Sequence, residues 1–227
     1  MARPIFWPLL LCMFALAASA LRGAGPAAVV WKLDQTASVG GQAAEVLGAP
    51  QVVEIDGIKT VRFDGTADGL FLPVNPLGGL REFTIEVLFR PEAGGGAEQR
   101  FLHVQDEPGS RALMEIRLTP EGRWALDTFL YSTRNEEKLT LLDRTKLHPA
   151  GRWHWVALRY DGKTMTSHIN GAKELEGPVA IPAMQAPGRI SLGVRQNKVY
   201  WFKGGIAEVR FHPSALPAEK LQRGEAK

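Results

Sequence analysis

Asp64, Asp68 and Asn170 are the residues whose chemistry stands out first. A hard cation such as calcium takes its ligands from carboxylate and amide oxygens. These three are the candidate metal set, and Ca2+ is the one cofactor the sequence suggests. Their spacing closes no loop motif and matches no EF-hand pattern. Sugar hydrolysis asks for two carboxyls facing one bond, yet no acids cluster along a single strand. Glu82 and Glu86 are separated by Thr84, Glu115 lies between Met114 and Ile116, and Glu174 and Glu176 sit near a loop and are expected to face water. His103, His148, His154, His168 and His212 show neither His-x-His nor His-x-x-x-His spacing. No Gly-x-Ser-x-Gly elbow is present, and no phosphate-cradling glycine motif. What remains is aromatic and guanidinium chemistry. Trp155 and Arg159, with Trp124, Tyr131 and Trp201, are the candidate ligand-binding residues, because a ring with a polar tip can both stack and hydrogen-bond, and Tyr200 is a further aromatic candidate. Trp153 is expected to pack. The residues therefore point to a binding module and not to an enzyme.

The elements that must position these side chains are strands. Arg152–Tyr160 and Lys163–Ile169 flank Asp161-Gly162, and Asn170-Gly171 leads on to Ala172–Leu175, which predicts a three-strand meander. If the first turn is tight, His154 and His168 come close to being cross-strand neighbours. Gln51–Ile55 and Lys59–Phe63 flank a second hairpin signal at Asp56-Gly57-Ile58. In Arg81–Arg90, Phe83, Ile85, Val87 and Phe89 alternate with Thr84, Glu86, Leu88 and Arg90, the pattern of a half-buried strand. In Gly205–Phe211, Ile206 and Val209 cannot share a face by strict alternation, so either a bulge intervenes or both faces are covered. Asp34 to Pro50 reads as loop. Ser214–Leu221 is the only helix candidate, with Ser214 as its cap. About a dozen short strands without intervening amphipathic helices predict an all-β, antiparallel two-sheet sandwich, with barrel closure as the alternative.

The chain has 227 residues and a formal net charge of +3. Arg3, the apolar run Ile5–Ala17 and Ala18-Ser19-Ala20 form a leader with a small-residue cleavage site over 1–20. A retained anchor is the competing reading, but Pro8 interrupts a run that is short for a membrane span. Export is thus expected, secreted or periplasmic, with no stable span after cleavage. Cys12, the only cysteine, leaves with the leader, so neither a disulfide nor a thiolate site is expected in the mature chain. Acidic and basic residues are well mixed, which argues against nucleic acid as a partner. Residues 21–26 read as a flexible lead-in, 27–213 as one domain and 214–227 as a helical tail.

Four ordered segments carry a resemblance. They are Phe63-Asp64-Gly65 with Asp68 and Leu70-Phe71-Leu72, Phe83–Glu86 with Phe89-Arg90-Pro91, Trp153–Leu158 with Tyr160-Asp161-Gly162 and Asn170-Gly171, and Gly204–Phe211 with Leu216-Pro217-Ala218-Glu219. Together they resemble a laminin-G-like domain of the concanavalin A-like superfamily, of the bacterial secreted kind. The resemblance implies a jelly roll of two antiparallel sheets. Many such domains bind calcium at loop edges, although Ala207 stands here where the family often has an Asp before the Glu of the closing strand. The glucanase relatives carry clustered acids that this chain lacks. The expected function is an exported, non-catalytic module that binds carbohydrate. A structural or adhesion domain contacting another protein is the first alternative, and an unusual glycoside hydrolase the second. The partner is accordingly a glycan or an extracellular protein.

Overall fold

The computed structural model describes residues 27–224, so the expected leader lies outside the described residues. In chain order the strands are β1 (Val29–Lys32), β2 (Ser38–Val39), β3 (Gln42–Ala43), β4 (Glu45–Leu47), β5 (Gln51–Ile55), β6 (Ile58–Asp64) and β7 (Gly69–Leu72). There follow β8 (Phe83–Pro91), β9 (Glu98–Asp106), β10 (Arg111–Leu118), β11 (Arg123–Tyr131), β12 (Lys138–Leu142) and β13 (His148–Pro149). The last are β14 (His154–Tyr160), β15 (Thr164–Ile169), β16 (Ala172–Pro178), β17 (Gly188–Leu192) and β18 (Lys203–His212). The first sheet runs β16-β15-β14-β8-β18-β6-β5, with β1 also on β18, and the second runs β12-β11-β10-β9-β17-β7-β4, with β13 on β11. All pairings are antiparallel, and the two sheets stack without closing into a barrel. Among the described residues no helix is long and apolar enough to cross a membrane.

The core fills the space between the sheets. Phe83, Ile85, Val87 and Phe89 of β8 point into it, as the alternation predicts, and meet Met114 and Ile116 of β10 and Trp124 and Leu126 of β11 in one apolar cluster. Phe89 stacks on Phe101 of the opposite sheet at 4.6 Å between centroids and meets Trp124 edge-on at 5.1 Å. Phe202 joins both phenylalanines near 6 Å. Each such ring removes enough apolar surface from water to contribute about 2–3 kcal/mol. The register of β18 on β8 shifts between Ile206 and Glu208. A bulge at Ala207 is therefore what lets Ile206 and Val209 both face inward.

The meander β14-β15-β16 forms as expected, and Asn170 (φ 49°) and Gly171 (φ 78°) make its tight second turn between Ile169 and Ala172. The first turn differs. Tyr160 pairs with Met165, so four residues separate the last paired positions where a tight turn has two, and the Asp161 carboxylate accepts the N–H groups of Lys163 and Thr164. An aspartate-capped turn wins here because that side chain satisfies two otherwise idle donors. In this register His168 faces Ala157, not His154. Asp34 to Pro50, expected as loop, contains three short strands. The expected C-terminal helix is one 3-10 turn, Ala218–Lys220, with Pro217 at its start and no side-chain cap from Ser214. The outward side of β8, expected to be half exposed, is buried because the tail crosses it. The Thr84 hydroxyl donates to the Ser214 carbonyl and accepts the Leu216 N–H, both at 2.9 Å, and Glu86 accepts the Gln222 N–H at 2.6 Å.

Gly193 ends β17 at φ 80°, and a Cβ there would stand 2.3 Å from the Phe63 ring. Gly193→Ala should therefore destabilise the fold by on the order of 3 kcal/mol, from left-handed backbone strain plus overpacking. Gly41→Ala, also at positive φ but facing open space, should cost only about 1 kcal/mol. Urea titration of both variants checks the difference.

Candidate functional site

The pleat that sends Met114, Ile116, Trp124 and Leu126 inward sends Arg111, Leu113, Glu115, Arg117, Asp127 and Phe129 outward. These outward residues line a shallow groove of about 250 Å³, which Arg100, Thr140, Arg195 and Tyr200 complete. Its floor is ionic. Glu115 is directly opposite Asp127 of β11 on one side and Arg100 of β9 on the other. Two facing carboxylates repel, and Arg117 resolves the conflict by reaching between them. Its Nε donates to Asp127 at 2.8 Å, and its Nη2 lies 2.5 Å from Asp127 and 3.2 Å from Glu115. Arg100 adds a contact to Glu115 at 2.9 Å and one to Glu98 at 3.0 Å, and Arg117 also pairs with Glu98. Three carboxylates thus share two guanidinium groups. Glu115 is 2 % exposed and Asp127 1 %. Burial pushes the Glu115 carboxyl up to about 7, against the pull of Arg100 and with a further push from Asp127. Burial also raises Asp127, with Arg117 opposing it.

The wall of the groove is the crossover from β17 to β18, residues 193–202. Its Gln196 ties it down: the backbone N–H of Gln196 donates to His103 Nδ1 at 3.1 Å, its amide nitrogen donates to the carbonyls of His103 and Arg189, and its amide oxygen accepts from Arg189 Nε at 2.9 Å. Two non-glycine residues in this loop, Lys198 (φ 60°) and Tyr200 (φ 59°), hold left-handed backbone. The Tyr200 carbonyl is pinned by the Arg100 N–H at 2.8 Å, and the Arg100 guanidinium lies over the Tyr200 ring at 3.8 Å. Arg111 lies over the Tyr131 ring at 4.5 Å and more distantly over Phe129.

The residues singled out from sequence scatter over the molecule. Tyr131 belongs to the groove's neighbourhood through Arg111. Trp201 is half-buried beside Tyr200. Trp124 is fully buried in the core, its indole N–H donating to the Pro149 carbonyl, which removes it from any ligand surface. Trp155 and Arg159 face outward on the opposite sheet, where the chain's own tail lies. Arg159 Nε donates to the Leu216 carbonyl at 3.0 Å, and Arg210 lies over the Trp155 ring at 4.9 Å. Trp153 packs with Leu88 and Ala207, as expected. Asp64 and Asp68 are neighbours, but their oxygens hold backbone. Asp68 accepts the N–H groups of Ala49 and Asp64, and Asp64 accepts those of Thr66, Ala67 and Asp68. Burial would raise Asp64, but these donors outweigh it and bring it to about 2. Asn170 lies across three intervening strands, roughly 20 Å away, and its side-chain oxygen accepts the Trp155 N–H. The calcium set is not brought together, and no group of three or more acidic, His or Cys side chains suited to a metal forms among the described residues. Missing from the sequence reading were Arg100, Arg111, Arg117, Asp127 and Arg195, while Glu115 was weighed only as a lone acid and Tyr200 only as one of several aromatic candidates. The signal that could have found the central acids is the outward parity of Glu115 and Asp127 on two adjacent strands.

Comparison with known proteins fits this architecture. A search of curated proteins by sequence gives no match. Among solved structures, domain 4 of AbnA, a GH43 extracellular arabinanase from Geobacillus stearothermophilus determined with arabinotriose, is 22% identical with a TM-score of 0.60, covering 85% of this chain and 94% of that one. The botulinum neurotoxin serotype D ligand-binding domain determined with N-acetylneuraminic acid is 15% identical with a TM-score of 0.62, covering 84% of this chain and 48% of that one. The receptor-binding domain of the C/D mosaic serotype is 14% identical with a TM-score of 0.62, covering 85% and 49%. The chain thus spans about half the length of the toxin domains it matches, and likeness at these identities establishes the fold alone. The Laminin_G_3 family model, of the Concanavalin A-like lectin/glucanases superfamily, matches residues 64–222. That match covers most of both sheets, and the chain belongs to this laminin-G-like family.

Proposed function

We propose that the protein is an exported, non-catalytic carbohydrate-binding module whose ligand lies in the groove on the open face of the second sheet. Tyr200 carries this reading. It is 41 % exposed at the groove wall, held in left-handed backbone and backed by a guanidinium. An exposed aromatic ring with its orientation fixed in advance is what stacking on a sugar requires. The arabinanase domain seen with arabinotriose and the toxin domain seen with N-acetylneuraminic acid support a sugar as the class of ligand. The exposed large apolar residues other than Tyr200, namely Val29, Val30, Val46, Val52 and Val199, are spread over β1, β4, β5 and the crossover loop. That dispersal favours the groove over a protein-docking patch.

The facing pair Glu115 and Asp127 favours hydrolysis as a second reading, since two close carboxyls in a groove are the raw material of a glycosidase. Their surroundings argue against it. Both are almost wholly buried, and Arg117 and Arg100 engage one oxygen of each, Oε2 of Glu115 and Oδ2 of Asp127. A proton held by Glu115 balances an ionic floor with one carboxylate too many, which is a structural role.

Two predictions follow from this reading. Tyr200→Ala should weaken binding of arabinotriose or of the best ligand on a glycan array by roughly tenfold, the worth of one aromatic stack, while Trp155→Ala leaves it unchanged. Calorimetry of both variants checks this, and loss of binding in the Trp155 variant alone would move the site to the other sheet. Because the folded pKa of Glu115 is raised from 4.5 to about 7, its contribution to stability is complete below the lower value and is lost as pH rises through the higher one. Glu115→Gln should remove that part of the pH slope. Urea midpoints at closely spaced pH values between the two, for variant and wild type, measure it.

A further inference from the structure

Every carboxylate that lines the groove is already engaged by Arg100 or Arg117. Arg111 and Arg195 line the same groove and have no carboxylate partner among the described residues. The Nε of each is buried without a hydrogen-bond partner. Arg111 donates from Nη1 to the Gly109 carbonyl and lies over the Tyr131 ring. Stacking occupies the flat faces of a guanidinium and leaves its in-plane donors directed outward. Arg195 comes from the tethered loop on the other side, and the two cations sit close enough to depress Arg111 further after burial has lowered it. His103 beneath them is driven down to about 3, first by burial and then by Arg195, Arg111 and Arg189. An uncompensated positive potential in a partly desolvated groove is costly unless an anion fills it.

Resting on the carbohydrate reading, we propose that the ligand is an acidic saccharide whose charged group, a uronate carboxylate or a sulfate ester, is held between Arg111 and Arg195 while its ring lies toward Tyr200. The guanidinium fork matches either anion through paired N–H donors. The ionic floor formed by Glu98, Arg100, Glu115, Arg117 and Asp127 takes no part in charge recognition, because its charges already satisfy one another.

The test is calorimetric titration of the full chain with four probes: trigalacturonic acid, its fully methyl-esterified form, galactotriose and a sulfated galactotriose. The proposal expects the uronate or the sulfated sugar to bind at least about tenfold more tightly than its neutral counterpart, and the winning arm identifies the anion. Arg111→Gln and Arg195→Gln should each remove about tenfold from the acidic ligand and so narrow its advantage over the neutral counterpart. Arg195 lies in a loop outside the sheet ladders, so its variant remains informative if Arg111→Gln fails to fold. Equal binding of acidic and neutral probes, or acidic binding indifferent to both substitutions, would overturn the proposal and leave the carbohydrate reading standing. Binding of none of the four, with none on a glycan array, would overturn both.

Discussion

The stack of Phe89 on Phe101 is the contact on which the rest depends, because it joins the two sheets through their middles. Phe89 also touches Trp124 and Phe202, so four rings from β8, β9, β11 and the β17–β18 crossover fix the separation and lateral placement of the layers. Once these rings point inward, the pleat leaves no freedom to the neighbouring residues. Met114 and Ile116 must face the rings, and Glu115 and Arg117 must face away. The ionic floor of the groove is thus a consequence of core packing one residue out of phase. Phe202 adds a second consequence: by burying its ring it ends the crossover and places Tyr200, two residues earlier, at the groove wall.

The two outer faces of the sandwich have different fates, and that asymmetry decides where a ligand can sit. On the first sheet, Thr84, Glu86 and Arg159 present polar groups that the tail residues Ser214, Leu216 and Gln222 saturate. On the second sheet the polar groups of the groove floor satisfy one another across strands, and among the described residues the crossover loop forms the wall beside them. A surface whose own segment supplies its hydrogen-bond partners has nothing left for a ligand. A surface that leaves two guanidinium groups without carboxylates does.

Local chemistry made much of the fold legible from sequence. Asn170-Gly171 and the Asp56-Gly57 turn read as tight turns because their residues tolerate positive φ, and the alternation of β8 named its inward residues correctly. The conflict between Ile206 and Val209 left a bulge or two covered faces as alternatives, and the register shift at Ala207 decides for the bulge. Asp161-Gly162 misled because an aspartate can cap a wider turn as readily as it can enter a tight one. The site was much less legible. Trp155 and Arg159 have the right types but lie where the tail returns from far along the sequence, and Trp124 differs from a surface tryptophan only through the strand parity that buries it. Glu115 stands alone when its own strand is read, because no acid lies two positions away, and Asp127 draws no attention from its neighbours in sequence. Their proximity is a matter of register between β10 and β11, which depends on the whole hairpin and not on any one segment.

The buried ionic floor calls for a physical explanation, since replacing such a cluster by apolar side chains is often neutral or stabilising. A groove floor cannot be apolar, however, if the groove is to accept a polar ligand without collapsing or attracting other proteins. Nor can its charges be free, because a mobile guanidinium would lose side-chain entropy on every binding event. Locking Arg100 and Arg117 between Glu98, Glu115 and Asp127 satisfies both demands. It holds the Arg100 guanidinium against the Tyr200 ring and so helps to fix the orientation of that exposed side chain. The same lock ties Oε2 of Glu115 and Oδ2 of Asp127 to guanidinium donors. On the proposed reading, the arrangement that prepares a binding surface is also the one that keeps two adjacent acids from acting as a catalytic pair.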